Sequence, residues 1–441
     1  MGISNLIFAL CLGGAAFLFG KNVIKIKRNI MLGRAIDRSD RPTERWMTMA
    51  RVALGQSKMV VRPVAGFLHI LVYVGFVIIN IEVLEIVIDG LFGTHRVFAF
   101  MGGFYNFLIG SFEILALLVL VSCVIFLIRR NLLQIKRFVM KEMDGWPKTD
   151  ANLILIFEVL LMSAFLLMQG ADLTLQKLGA DHYIQAGSFP VSSQIASWFD
   201  GISMEAVYGL ERGFWWFHIL GILAFLNYLP YSKHFHIILA FPNTYYSKLE
   251  PKGAFTNMES VTKEVQMMMD PNVDPYAATA EGAENEVPER FGAKDVNDLN
   301  WVQLMNAYSC TECGRCTSEC PANQTGKILS PRKIMMDTRD RLEEYGANLD
   351  INGTDSDDGK SLLDDYVSRE ELWACTSCNA CTQACPINID PLSIILDMRR
   401  YLVMEESAAP TELNMMFSNV ENNGAPWQFS AVDRLNWKDE A

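Results

Sequence analysis

The chain has 441 residues, is 51% hydrophobic and carries a formal charge of −12 at pH 7. That length leaves room for two or three domains, and the apolar content is too high for an ordinary soluble protein. The acidic balance gives no support to nucleic-acid binding, and cysteines concentrated in two short motifs imply no disulfide framework, which suits a reducing compartment.

Residues 3–20 form the first apolar run. No basic segment precedes it and no small-residue cleavage site follows it. Lys21, Lys25, Lys27 and Arg28 come next instead, so it reads as a retained helix rather than a signal peptide. Further runs at 64–88, 104–128, 151–169 and 213–230 are long enough, or nearly so, to cross a hydrocarbon core of ~30 Å. Cys11 and Cys123 lie inside such runs and read as small core residues.

Charge sets the topology. Between the first two runs, residues 21–62 hold eleven Lys or Arg against Asp37, Asp40 and Glu44. Arg129, Arg130, Lys136, Arg137, Lys141 and Lys148 follow the third run, whereas residues 171–212 have only Lys177 and Arg212 as cations. By the positive-inside rule the amino terminus lies outside, five helices cross, and everything after Tyr231 is cytoplasmic. The outer loop 171–212 is expected to contain a short amphipathic helix around 194–208.

The six histidines can be weighed one by one. His69 falls about two turns into the second span from its cytoplasmic end, and His218 near the outer end of the fifth. On one continuous helix, His218 and His236 are five whole turns and about 27 Å apart and point the same way, while His234 is turned to nearly the opposite side. Intramembrane histidines are presumed functional, and neutral imidazole is the usual axial ligand of a b-type haem between bundle helices. His69 and His236, at matching depth on different helices, are expected to hold one haem b, with His234 as the rival of His236. His218 suits a second haem, but Ile79 stands where its partner belongs on the second span. His95 and His182, in outer loops, read as solvated. Glu82, Glu85, Glu113 and Glu158 are carboxylates in apolar helices. Glu85 is expected to snorkel to the surface, while Glu82 and Glu113 are candidates for taking protons from a quinol, with His218 beside them.

Beyond residue 250 no spanning run occurs. Residues 252–298, with Pro271, Pro275 and Pro288, read as a polar linker. Two copies of one pattern follow: Cys310-x2-Cys313-x2-Cys316-x3-Cys320-Pro321 and Cys375-x2-Cys378-x2-Cys381-x3-Cys385-Pro386. This is the bacterial ferredoxin run for [4Fe–4S] clusters, in which the fourth cysteine reaches the other cluster. Cys310, Cys313, Cys316 and Cys385 are thus expected to hold one cluster, and Cys375, Cys378, Cys381 and Cys320 the second. Tetrahedral zinc prefers two separated C-x2-C pairs and fits less well. Helices are expected from Pro331 and over 391–403, with an exposed loop over 345–360.

The fold class is therefore all-α: a five-helix transmembrane bundle followed by a cytoplasmic α-helical ferredoxin domain. The expected divisions are a haem b domain (1–236), a linker (237–298), a double-cluster domain (299–405) and a partner-binding tail (406–441).

At this point the residues resemble known families. The bundle, with its 18-residue spacing of His218 and His236, resembles the cytochrome b subunit of respiratory nitrate reductase, a five-helix quinol-oxidising protein with an outer amino terminus. Two histidines on the second helix are that family's pattern, and here only His69 stands there. Trp301-Val302-Gln303, Cys310-Thr311-Glu312-Cys313-Gly314-Arg315-Cys316 and Leu329-Ser330-Pro331-Arg332 resemble the double [4Fe–4S] subunit of heterodisulfide reductase. Pro230-Tyr231-Ser232-Lys233-His234-Phe235-His236 and Leu249-Glu250-Pro251-Lys252-Gly253 look like fused membrane iron–sulfur oxidoreductases that link electron-transferring flavoprotein, or similar donors, to menaquinone. The resemblance implies electron transfer between a quinone pool and a cytoplasmic partner at a bacterial cytoplasmic membrane. It also implies that the catalytic module with Cys-Cys-Gly motifs, for which this chain has no Cys-Cys pair, is a separate redox subunit or absent. The rival reading from another class is a membrane-bound redox sensor or scaffold without turnover; two clusters in series favour a wire.

Overall fold

The computed structural model describes residues 2–251, 253–272, 290–353 and 356–439, all helix, turn and loop. Among these residues there is no strand, only isolated bridges such as Arg34 to Asn300. The linker's Pro275 and Pro288 lie outside the described residues.

Five helices are long and apolar enough to cross a membrane. They are α1 (Ile3–Ile30), then, after the short α2 (Pro42–Met49), α3 (Pro63–Phe92), α4 (Gly103–Asn131) and α5 (Trp146–Leu178), and, after the short α6 (Ser192–Ala196), α7 (Met204–Tyr228). Local chemistry marks their ends. Pro63 opens α3 where its missing N–H costs nothing, and Gly93, at φ +73°, closes it in the left-handed conformation. Gly179, at φ +69°, ends α5 in the same way, and the Ser203 hydroxyl caps α7 by accepting the Ala206 N–H. Glycine also permits close helix approach: a Cβ on Gly75 of α3 would lie 2.4 Å from Val119 of α4, and one on Gly221 of α7 would lie 2.6 Å from Leu161 of α5. Large apolar side chains such as Leu10, Phe17, Phe76 and Phe107 stay exposed on the bundle's outer surface, as a lipid solvent requires.

The chain does not run straight from α7 into the second half. It breaks through 3-10 turns at Leu229–Tyr231 and Lys233–Phe235 before α8 (His236–Tyr245). Pro230 and the Ser232 hydroxyl, which accepts the His234 N–H, make the break. The continuous helix expected from His218 to His236 is therefore not present. Within the expected linker, α8 packs against the cluster domain, and α9 (Glu259–Met269) buries no residue.

The cluster domain holds α10 (Trp301–Ser309), α11 (Arg315–Glu319), α12 (Pro321–Gln324), α13 (Pro331–Asn352), the kinked α14 (Leu362–Asp365), α15 (Arg369–Trp373), α16 (Ala380–Ala384) and α17 (Pro391–Met404), and α18 (Thr411–Asn423) follows. Asn300, Ser330 and Asp390 cap α10, α13 and α17 through their side chains. The expected 345–360 loop is half helix, since α13 runs on to Asn352 and stops at Gly353 with φ +90°. Likewise the outer loop is shorter than 171–212, because α5 reaches Leu178 and α7 already starts at Met204; the expected 194–208 helix is split between α6 and the start of α7.

Bundle and cluster domain share one hydrophobic core. Ile26, Ile30, Ile154, Phe225, Leu229 and Phe235 from the bundle end are contiguous with Leu299, Leu304, Met335 and Met398 of the cluster domain. At about 1.5–3 kcal/mol for each fully buried aliphatic side chain, this junction is a packed interface and not a tether. Polar contacts pin it. Arg34 N donates to Leu299 O at 2.8 Å, Asn29 Nδ2 to the Tyr308 hydroxyl at 3.0 Å, and Asn243 Nδ2 to Ile387 O at 2.7 Å. The fully buried Arg332 reaches Arg137 O and Glu142 Oε1, both at 2.6 Å.

Candidate functional site

The two cysteine runs adopt the same backbone. Glu312 and Ser377, each two residues after the first cysteine, have φ of +54° and +55°; Gly314 and Asn379, two further on, have +69° and +59°. These left-handed residues curl each loop so that N–H groups turn toward sulfur. Ser377 N lies 3.4 Å from Cys375 Sγ and Ile389 N lies 3.3 Å from Cys385 Sγ. The third cysteine of each run begins a short helix, α11 or α16, and these two helices pack on each other.

The packing sorts the cysteines across the runs. Cys385 lies within electrostatic reach of Cys310, Cys313 and Cys316. Cys375 lies within such reach of Cys320 and Cys378, and Cys381 neighbours Cys375 while also reaching Cys316. Cys310, Cys320, Cys381 and Cys385 are buried, whereas Cys378 is exposed. Burial pushes the Cys310 and Cys381 thiols up to about 12 and the Cys385 thiol to about 11. A nest of buried thiols becomes a set of thiolates when cations arrive to hold them, which is the donor chemistry iron–sulfur clusters take. Among the described residues, no three His, Cys, Asp or Glu side chains converge on a single metal ion.

The first run abuts the bundle. Arg315 donates to Lys58 O at 2.9 Å and Met59 O at 3.2 Å, just before α3. Arg62 donates to the Ser318 hydroxyl at 2.6 Å, and Lys58 Nζ to Asn388 Oδ1 at 2.8 Å. Glu312, 3% exposed, accepts from Lys233 and from Arg339 Nη1 at 2.9 Å. Burial alone raises its carboxyl, but the two cations win and hold it below the usual range. Thus the basic segment before α3 binds the cluster domain, which sits at that end of the bundle.

Three histidines converge at that junction. His69 lies within reach of the charges of His236 and of Arg315, and Arg315 in turn of Cys313 and Cys385. The rings of His234 and His236 are 5.4 Å apart, and His234 also faces Phe225 at 5.4 Å. The expectation that His234 points away fails because the helix breaks before it. His236 Nδ1 bonds Lys233 O at 3.1 Å, which orients the ring and leaves Nε2 for a ligand. Burial lowers both His234, to about 3, and His236, so both imidazoles are neutral. His69 Nδ1 is buried and has no hydrogen-bond partner among the described residues. This donor set fits a bis-histidine haem b.

Deeper in the bundle, His218 Nδ1 bonds Leu161 O at 3.0 Å, and its buried Nε2 has no partner among the described residues. Ile79 is buried on α3. Glu113 Oε2 accepts the Val191 and Ser192 N–H groups at 2.9 and 3.1 Å, and its Oε1 is unpartnered, as is Glu82 Oε2. Glu82 and Glu113 feel each other's charge. The snorkelling expected of Glu85 does not occur: it is buried, accepting from the Tyr105 hydroxyl at 2.7 Å and from Phe98 N at 2.8 Å. Nor is His95 solvated, since its Nε2 stands 3.3 Å from Asp172 Oδ1.

Comparison with known proteins agrees with the cysteine geometry. Residues 309–389 match the family described as "4Fe-4S dicluster domain". The chain is related to iron–sulfur oxidoreductases. It is 28% identical over 468 aligned residues to a probable iron–sulfur-binding oxidoreductase of Bacillus subtilis, covering 99% of this chain and 61% of the relative. It is 27% identical to the EtfAB:quinone oxidoreductase of Syntrophomonas wolfei, covering 97% of this chain and 58% of that one. A probable membrane-anchored ferredoxin of Chromohalobacter salexigens is 32% identical over 164 residues, covering 33% of this chain and 24% of the relative. The chain thus spans about three-fifths of the length of its first two relatives. No solved structure matches it.

Proposed function

We propose that this iron–sulfur protein is a membrane-anchored electron conductor between a quinone pool and a cytoplasmic redox partner. The observation that carries the reading is the junction: His69 lies within electrostatic reach of His236 and of Arg315, and Arg315 of Cys313 and Cys385, where bundle and cluster domain share one packed core. In this reading Cys310, Cys313, Cys316 and Cys385 hold the inner cluster. Cys375, Cys378, Cys381 and Cys320 hold the outer one, whose exposed Cys378 marks the way out. His69 and His236 hold haem b. When bound, haem and clusters supply one-electron carriers, and the protein supplies position and tuning.

The chain's own residues then have definite tasks. Lys233 and Arg339 neutralise Glu312 between Cys310 and Cys313, so no bare anion opposes electrons entering there. His218, with Nδ1 fixed by Leu161 O, offers Nε2 to a quinone oxygen, and Glu82 and Glu113 offer unpartnered carboxylate oxygens for its protons. Cationic loops 21–62 and 129–148 face the cytoplasm with the cluster domain, and the amino terminus faces outward. The name of the Syntrophomonas wolfei relative, an EtfAB:quinone oxidoreductase, supports a quinone, menaquinone or another, on one side and a flavoprotein or other redox subunit on the other. The segment 406–441, with exposed Trp427, Phe429 and Trp437, is the docking surface for that subunit. A reduced-minus-oxidised optical spectrum of the purified chain tests the haem. The low-spin b-type signature is expected, and its absence from protein with full iron–sulfur content would overturn the haem assignment.

A further inference from the structure

At the end of the bundle away from the cluster domain lies a polar assembly that cofactor binding does not require. Buried Arg96 donates through Nε to Asp172 Oδ2 at 2.8 Å, through Nη1 to the Tyr105 hydroxyl at 3.2 Å, and through Nη2 to Gln169 and Asp172. Gln169 Nε2 donates to Glu82 Oε1. The assembly borders a cavity of about 100 Å³ that reaches from Glu82 and Trp215, past Asp172 and His95, to the exposed Thr94 and His182.

An ion pair between Arg96 and Asp172 accounts for cohesion between the loop after α3 and α5. It does not account for Glu82, which is 3% exposed and leaves Oε2 unpartnered among the described residues while lining the cavity. Such a group calls for a partner that a protein chain does not supply, and a polar cavity this size admits several waters. Glu82 also lies about 15 Å along α3 from Phe92, so the cavity joins the bundle interior to the outer end.

We infer that this cavity is a water-filled proton conduit to the face opposite the cluster domain, with Glu82 as its inner proton acceptor. The inference rests on the quinol reading above. Oxidation of one quinol breaks its two O–H bonds and yields one quinone, two electrons and two protons. One electron goes to each oxidised [4Fe–4S] cluster. The protons pass singly to the Glu82 carboxylate and then through cavity water, past Asp172 and His95, to the outer surface.

Two experiments on the full chain test it. In proteoliposomes mixed anaerobically with a menaquinol analogue, Glu82→Gln keeps an acceptor for Gln169 yet removes the proton carrier. Cluster reduction should slow about tenfold or more, with dithionite-reduced spectra unchanged, and outward proton release should fall with it. Thr94→Cys labelled by a membrane-impermeant thiol reagent should slow release in the same sense from the mouth. Unchanged rate and unchanged side of release in both variants would overturn the conduit alone. A wild-type protein that the quinol fails to reduce would overturn the quinone reading and the conduit together. Independently of any cofactor, hydroxyl-radical labelling should oxidise the buried cavity residues Met168 and Trp215 but spare buried Met162, which does not border the cavity. Protection of Met168 and Trp215 equal to that of Met162 would show a dry cavity and refute the conduit.

Discussion

Arg332→Ala should loosen the junction that holds the cluster domain against the bundle. Arg332 is fully buried, and its guanidinium joins α13 to the loop between α4 and α5 through Arg137 O and Glu142 Oε1. Breaking a buried ion pair from one side costs about 3–5 kcal/mol. Glu142 retains the Ser330 hydroxyl at 2.8 Å and is 12% exposed, which puts Arg332→Ala near the lower end. Glu142→Ala belongs nearer the upper end, because it strands a cation that no solvent reaches. At 1.4 kcal/mol per tenfold, about 3 kcal/mol is on the order of a hundredfold in local opening. Hydrogen exchange of peptides covering 136–143 and 328–339 reads that opening directly. The double variant should lose far less than the sum of the two singles, since the pair acts as a unit. The pH dependence has a definite sign. Burial raises the Glu142 carboxyl, but Arg332 and Ser330 hold it below its ordinary value of 4.5. Its contribution is therefore complete above that value and is lost as pH falls through the folded one. The stability gap between wild type and Glu142→Gln should be full at neutral pH and close in acid. A change in exchange below threefold, or strict additivity, would refute the assignment.

Cys385→Ser should perturb the cluster assigned to Cys310, Cys313 and Cys316, and Cys320→Ser the other one; paramagnetic spectra showing each run disturbing only its own cluster would contradict the crossing. His69→Ala and His236→Ala should each abolish the low-spin haem signal. His234→Ala should retain it, because the Lys233 carbonyl orients His236 and not its neighbour; the reverse outcome would move the ligand to His234. Gly314→Ala should cost about 1–2 kcal/mol for its left-handed backbone and force its Cβ to within 2.6 Å of Arg332 Nη1. Iron and acid-labile sulfide should fall toward half, and full loading would show the loop tolerates the change.

Much of this architecture can be read from residues whose chemistry acts locally. Apolar runs define the five spans, and prolines after polar caps mark α13 and α17. Matching cysteine gaps give the two loops their shared backbone, with Gly314 and Asn379 at the same left-handed position. The misreadings have physical causes. The helical register from His218 to His236 holds only for an unbroken helix, and Pro230 and Ser232 together end one helix and cap another turn. The 345–360 segment is rich in Asn, Gly and Asp, yet Lys25 and Arg28 of α1 pair with Asp350 and hold the last turn of α13 in place. Glu85 looked like a snorkelling carboxylate because nothing periodic connects it to Tyr105 or to the loop at Phe98. Arg96 and Asp172 are 76 residues apart, and only the packing of the loop after α3 on α5 brings them together. The one available signal was a lone arginine in an outer loop facing several intramembrane acids.

The central claim is that quinol electrons reach both clusters through this one chain. The most direct measurement mixes purified, oxidised full-length protein with a menaquinol analogue without air and counts reduced clusters by paramagnetic resonance, against dithionite as the full scale. Reduction of both clusters, lost in His69→Ala and His236→Ala while dithionite still reduces them, is the predicted result. Clusters that dithionite reduces and quinol leaves oxidised in the wild type would contradict it.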